Sequence, residues 1–393
     1  TGNSRYIYPP STGDVAPNTR FDFREAFFKK DLNAAVTDFI NDRETVCIAG
    51  GTILGTYSRT ITWGESHSDG SGLAIHGPNT TVDGVRIDNN AQDGVYVSRT
   101  VAKDFVIKNN WISYNRDDCV ENDHNHGGVV EDNLFDGCYT FFSLQDECGD
   151  NCAYRELVKI HGNLIHMQNM PYPYVHPDRR DTDHPAMGWG AFFKQATSDN
   201  DPSIDFVDNV IYMEPNQYNY FHGQEFKVRE FSKCEGNILI WTGTGDWPDA
   251  TWENLPDGCL EAVYRGQEGL DVWNTIKKNW IDCHPDVGRV DGDPQSNGSA
   301  CDENAYGGGG TPTKILPDVT GLVPGQRPGK DLTTRWTEAR DFDVFALDGR
   351  RVGTASALLS GGRRLPAGAY VVRPCGEAGG PEWQILVWGE SQR

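Results

Sequence analysis

The sequence predicts an all-β chain wound as a solenoid of short parallel strands, and three observations carry that prediction. An asparagine followed by two bulky apolar residues recurs at Asn110-Trp111-Ile112, Asn133-Leu134-Phe135, Asn163-Leu164-Ile165, Asn209-Val210-Ile211, Asn237-Ile238-Leu239 and Asn279-Trp280-Ile281, the asparagines lying 23, 30, 46, 28 and 42 residues apart. A short unit repeated with insertions of variable length is what stacked rungs produce. Most copies follow an alternating stretch such as Phe105-Val106-Ile107-Lys108 or Ile204-Asp205-Phe206-Val207, the period of a strand with one buried face. The 393 residues include 44 glycines and only 37% hydrophobic residues, which implies many tight turns between short strands.

Taken in order, residues 1–44 form a leading segment. Within it Arg24 to Asn41 places Phe27, Leu32, Val36, Phe39 and Ile40 near helical spacing, which predicts an amphipathic helix capping the open end of the solenoid. Thr45 to Gly55 alternates apolar residues with glycines and reads as the first full rung, and Thr81-Val82-Asp83-Gly84-Val85-Arg86-Ile87 opens the regular series. Units this short leave no room for alternating helices. The repeated asparagine suits a turn needing left-handed backbone, and its amide can bond the asparagines above and below.

Two insertions exceed the unit. Residues 166–200 carry His184, Trp189 and Lys194, and residues 241–274 carry Trp247, Trp252, Tyr264 and Arg265. Long loops on a regular scaffold are where binding usually resides, and flat aromatic rings suit the C–H faces of sugars. Residues 291–330 lose periodicity and read as a proline- and glycine-rich linker. Residues 331–393 carry three alternating stretches, Phe342 to Val352, Leu365 to Arg373 and Trp383 to Trp388, which predict a small β-sandwich.

These residues resemble the right-handed parallel β-helix proteins of the pectate-lyase-like group over about residues 45–290. The resemblance implies a right-handed parallel β-helix, and in that group many members act on polysaccharides while others are tailspikes, adhesins or structural proteins. The phrases Asp348-Gly349-Arg350 and Leu365-Pro366-Ala367-Gly368-Ala369-Tyr370-Val371-Val372-Arg373 resemble the C-terminal sorting domains of the bacterial type IX secretion system and, more loosely, immunoglobulin-like appendages. That implies a bacterial protein exported to the cell surface or beyond; separately, a solenoid with such a terminal domain is expected to be able to self-associate through it.

Composition narrows the partners. A formal charge of −22 and a pI near 4.8 argue against bare nucleic acid or an anionic membrane surface. No apolar run approaches the roughly 18 residues of a membrane-spanning helix. Thr1-Gly2-Asn3 does not read as a signal peptide, which suggests a processed start. Ten cysteines without paired metal-type spacing read as disulfides of an exported protein rather than zinc ligands.

The densest polar stretch is Asn115 to His126, and one rung earlier stands Gln92-Asp93-Gly94. Aligning the following strands puts Asp93 and Asp118 in one column with Asp117 beside them, close enough for one carboxyl to hold a proton while another activates water. Gln92-Asp93-Gly94 and Asp117-Asp118-Cys119 resemble the paired phrases of polygalacturonase-type glycosidases, which implies an inverting hydrolase with Asp118 as general acid and Asp93 and Asp117 activating water. That family's Gly-His-Gly is absent from the next rung, and its Arg-X-Lys phrase is absent from the expected place. A lyase reading draws instead on Lys194, Lys227, Arg229 and Arg265 to neutralise a uronate carboxylate. A base would come from His124, His126, Tyr139 or His184, with Asp117, Glu121, Asp123 and Asp146 as calcium ligands. Neither reading requires a cofactor beyond that optional calcium. Substrate contacts would come from His126, Tyr139, His184, Trp189, Lys194, Lys227, Arg229 and Arg265. The expected function is thus a secreted hydrolase or lyase acting on an acidic or plant or algal polysaccharide, with a non-catalytic adhesive or self-assembling surface protein as the alternative.

Overall fold

The structure is a computed structural model that describes residues 19–24, 26–30, 45–56, 58, 62, 70–97, 102–144, 156–168, 170–171, 187–188, 191–194, 199–214, 226–242, 255–295, 343–346, 351–354, 369–371 and 383–386. Its strands stack into three parallel ladders that form the three walls of one coil. The first wall runs from Thr19–Asp22 through Cys47–Ala49, Thr81–Asp83, Phe105–Lys108, Gly128–Glu131, Leu157–His161 and Ser203–Val207 to Phe231–Glu235. The second runs from Phe27–Lys30 to Leu260–Arg265. Two long strands, Trp111–Glu121 and Leu134–Ser143, begin in the second wall and continue round a corner into the third, where they join Leu73–Ile75, Val95–Val97 and Phe193–Lys194.

The repeated asparagine phrase now has a physical account. Asn110, Asn133, Asn163, Asn209 and Asn237 are fully buried, and each Nδ2 donates to the Oδ1 of the next at 2.9–3.0 Å until Asn237 meets the carbonyl of Cys259 at 3.1 Å. The same Oδ1 atoms also accept from the preceding asparagine's backbone N–H, as Asn163 Oδ1 does from Asn133 at 3.1 Å, so each amide satisfies buried groups on two rungs. The left-handed residue is not the ladder asparagine itself but the one before it. Asn109, Asp132 and Asp208 have φ of 56°, 52° and 55°, and Gly162 and Gly236 have 63° and 70°. Asparagine, aspartate and glycine are the residues that tolerate that region.

The two apolar residues after each asparagine face opposite ways. Ile112, Phe135, Ile165, Ile211 and Leu239 fill the interior of the coil. Trp111, Leu134, Leu164, Val210 and Ile238 point outward, where a helix covers them. A strand buried on both faces reads as a continuous apolar pair rather than an alternation. The covering helix, α1, spans Gly266–Cys283 and buries Val272, Trp273, Ile276, Trp280 and Ile281. Its arrival corrects the sixth copy of the repeat: Asn279-Trp280-Ile281 lies on α1, not on a rung. Trp280 and Ile281 continue the helical spacing set by Val272, Trp273 and Ile276, and Trp280 meets Trp111 edge-on at 6.4 Å between ring centroids.

The helical cap expected from Arg24 to Asn41 is also corrected where it is described. Phe27–Lys30 is a strand paired in parallel with Thr52–Gly55, while 31–44 lie outside the described residues. At the C-terminal end Asp343–Ala346, Arg351–Thr354 and Ala369–Val371 form a three-stranded antiparallel sheet. The last predicted strand, Trp383–Leu386, leaves it and pairs in parallel with Thr19–Asp22 on the first wall.

Candidate functional site

The third wall places the acidic residues. In register across it, Ala74, Tyr96, Glu121, Ser143 and Lys194 form one outward row, one residue per rung. Asp93 precedes the strand that carries Tyr96, and Asp118 lies within Trp111–Glu121, at the corner where that strand turns from the second wall. A register shift between Asn115 and Asp118 makes that corner. It is held by Asn115, whose Nδ2 donates to the Asp118 carbonyl at 2.7 Å, and by Cys119–Cys138, a disulfide joining consecutive rungs inside the coil.

One carboxylate oxygen from each of Asp93, Asp118 and Glu121 lies within 4.8 Å of the others. Asp93 and Asp118 are buried, whereas Glu121 reaches the surface. Ser71 Oγ donates to Asp93 Oδ2 at 3.1 Å, and the Lys194 ammonium donates to Asp118 Oδ2 at 2.7 Å. Asp118 Oδ1 has no hydrogen-bond partner among the described residues. Beyond the strand end Ser143 donates to Asp123, and the Tyr96 hydroxyl lies 3.5 Å from His124 Nε2.

Burial pushes the Glu121 carboxyl far above the usual carboxylate range, helped by the charge of Asp93 and by a hydrogen bond to it. Burial likewise raises Asp93, against the hydrogen bond from Glu121, with the charge of Asp117 adding to the rise. Asp118 is raised by burial against the attraction of Lys194. For Lys194 burial alone would lower the ammonium, but Asp118, Asp117 and Asp123 outweigh it and hold the amine charged. The carboxyls therefore titrate as a group. Glu121 carries a proton that it shares with Asp93, and Asp118 faces a fixed cation.

Of the residues singled out in the sequence, Asp93, Asp117, Asp118, Glu121, Asp123 and Lys194 come together. His126 and Tyr139 are within the wall at 1% and 0% exposure, which removes them from substrate contact. Arg229 is on the first wall, donating to Ser203 Oγ at 2.9 Å and pairing with Glu230. Lys227 lies next to it in the chain, before Phe231–Glu235 of that wall. Arg265 ends the last strand of the second wall, over the Trp241 ring at 6.0 Å. The cationic groove expected of a lyase is thus not assembled from these residues, because Lys194, Arg229 and Arg265 are carried by three different walls. His184, Trp189 and Asp146 lie outside the described residues. The sequence offers Glu121 as a metal ligand with Asp123 and Asp146; the structure groups its carboxylate with those of Asp93 and Asp118. With the Lys194 ammonium already on Asp118 Oδ2, a divalent cation there would face a like charge, and the donor set fits such an ion poorly.

A family model described as a right handed beta helix region matches residues 31–165, the stretch that contains Asp93, Asp118 and Glu121. The fold is a right-handed parallel β-helix. No curated protein and no solved structure matches the chain. Right-handed β-helix regions occur in polysaccharide-active enzymes and in other proteins, so the chemistry has to be argued from the third wall.

Proposed function

We propose that this β-helix hydrolyses glycosidic bonds in an extracellular polysaccharide, with the acid–base chemistry on the third wall. The observation that carries the reading is the grouping of Asp93, Asp118 and Glu121 within 4.8 Å around one protonated carboxyl that reaches the surface. Glu121 donates its proton to the departing glycosidic oxygen. Asp93, hydrogen-bonded to Glu121, keeps that proton in place beforehand and takes part in its return. The Asp118 and Asp117 carboxylates stabilise the positive charge that develops on the sugar ring, and once the leaving group has gone the Glu121 carboxylate takes back a proton from the water that attacks that ring. Lys194 holds Asp118 in position and stays charged through the cycle.

This reassigns the acid from Asp118 to Glu121, since Asp118 is fully buried and Glu121 is not. The spacing also falls below the roughly 6.5–9.5 Å between the carboxyls of inverting enzymes, so inversion loses its geometric support among these three residues. Hydrolysis is favoured over elimination because Lys194 is committed to Asp118 while Arg229 and Arg265 are on other walls. The disulfides Cys119–Cys138 and Cys234–Cys259 support an oxidising, extracellular location.

The test is a polysaccharide panel read for new reducing ends and for the absorbance of unsaturated uronates, with and without a chelator. Reducing ends without unsaturation, unchanged by chelation, are expected. Unsaturated products would replace this reading with elimination, and loss of activity on chelation would place a metal at the carboxyls.

A further inference from the structure

Resting on the hydrolase reading, we infer that the third-wall site takes an uncharged glycan and turns away polymers of uronic acids. The family resemblance alone would suggest the opposite. Five carboxyl groups converge there, Asp93, Asp117, Asp118, Glu121 and Asp123, and each of the three with a raised titration point is pushed further up by the charge of its neighbours. The cation among them, Lys194, has its ammonium on Asp118 Oδ2 at 2.7 Å, with a side chain only 16% exposed. Arg116 lies in the same stretch but is fully buried, and His126 is in the wall. His124 is turned to the Tyr96 hydroxyl.

A uronate bound with its glycosidic bond at Glu121 would set another carboxylate beside Asp93, Asp117, Asp118 and Asp123. Among the described residues no uncommitted cation on this wall could receive it. The cations that the sequence offered for that purpose are held elsewhere, Arg229 between Ser203 and Glu230 on the first wall and Arg265 over Trp241 on the second. Two like charges near 4 Å at a partly screened site repel enough to weaken binding about tenfold or more. The outward row offers an uncharged surface instead. Tyr96 stands one rung from Glu121, about 4.8 Å along the coil, and is partly exposed, so its ring can pack on the face of a sugar next to the proton donor.

The experiment compares polygalacturonate with its fully methyl-esterified form, which keeps the backbone and removes the charge, beside alginate and the neutral polymers galactan, xylan and arabinan. Reducing ends are measured at 50 and 500 mM salt, and affinity electrophoresis reads binding. Turnover is expected on uncharged polymers alone, insensitive to salt, with any activity on the esterified pectin at least tenfold above that on polygalacturonate. Polygalacturonate or alginate bound or cleaved as well as the uncharged polymers would overturn the inference and leave the hydrolase reading standing. No turnover of any polymer would remove the hydrolase reading, and this inference with it.

Discussion

In the hydrolase proposed above, a single proton on the Glu121 carboxyl bears on both activity and stability. Replacing it with glutamine keeps the hydrogen bond to Asp93 and removes the acid, so kcat is expected to fall about 10²- to 10⁴-fold with the fold intact, as a reducing-end assay beside a melting curve would report. The stability effect has the opposite sign. A carboxyl whose folded titration point is raised binds its proton more tightly folded than unfolded, so the folded state loses relative stability as pH climbs above the ordinary glutamate value of about 4.3. Glu121→Gln should therefore melt higher than the wild type at neutral pH and should flatten its decline with pH. An unchanged pH slope would mean that Glu121 is not the proton holder. Lys194→Met is expected to do the reverse, leaving Asp118 buried without its cation at a loss of about 3–5 kcal/mol in chemical denaturation. Asp93 and Asp118 were legible in the sequence because each stands at the same place before an alternating strand. Lys194 was not legible as their partner, since 76 residues separate it from Asp118 and only the stacking of rungs brings them together.

At the scale of elements, the asparagine ladder was legible because a strict local phrase marks every rung. Helix α1 was hidden by the same phrase. Two substitutions separate the cases. Asn163→Ala strips the acceptor from the buried Asn133 N–H groups and the donor from the buried carbonyl of Val130 and the part-buried one of His161, at about 1–3 kcal/mol for each buried group left unsatisfied. Asn279→Ala, on α1, takes no amide from the ladder and should cost less than Asn163→Ala, since alanine also favours the helix. A loss at Asn279 as large as that at Asn163 would return it to the ladder.

The helix also has a pH-dependent fastening. His166 places Nδ1 3.5 Å from Asp136 and Nε2 3.1 Å from Glu214, stacks on Tyr212 at 4.5 Å between centroids, and lies against Trp273 of α1, from which Lys277 reaches Asp136. A second fastening pairs His284 with Asp132 at 3.3 Å. Burial alone would lower His166, but the hydrogen bonds to Asp136 and Glu214 outweigh it and raise it. For Asp136 burial is outweighed by His166 and Lys277, which hold its carboxyl low. The raised histidine contributes fully below its unfolded value of about 6.5 and loses that contribution as pH rises through its folded value. The lowered aspartate contributes above its unfolded value of about 3.9 and loses it as pH falls further. Docking of α1 should thus be strongest between about pH 4 and 6.5, and His166→Gln should remove the alkaline decline while lowering stability inside that window by about 1.5–3 kcal/mol. Chemical denaturation across that pH range reads both.

For the whole molecule, a coil of stacked rungs is held by contacts between neighbours, so its ends decide its solubility. An uncovered terminal rung presents a row of backbone donors and acceptors to any other strand. The sequence predicts a small terminal sandwich able to mediate self-association. Trp383–Leu386 occupies the edge of Thr19–Asp22, with Thr19 opposite Trp383 and Asp22 opposite Leu386, and so covers one edge of the first wall. That could not be read in advance, since an alternating stretch says that a strand forms and not which edge it joins. Removing residues 383–393 should leave 19–22 paired on one side only, with Cys47–Ala49. Amide exchange in a peptide covering 19–22 should then quicken by an order of magnitude or more, while the interior strand Leu157–His161 keeps its protection. The freed edge should also raise self-association in light scattering. If the terminal strand instead joins copies of the chain, the same deletion would yield smaller species and leave exchange at 19–22 unchanged in dilute protein. The direction of the scattering change therefore decides whether this strand seals the coil or extends it.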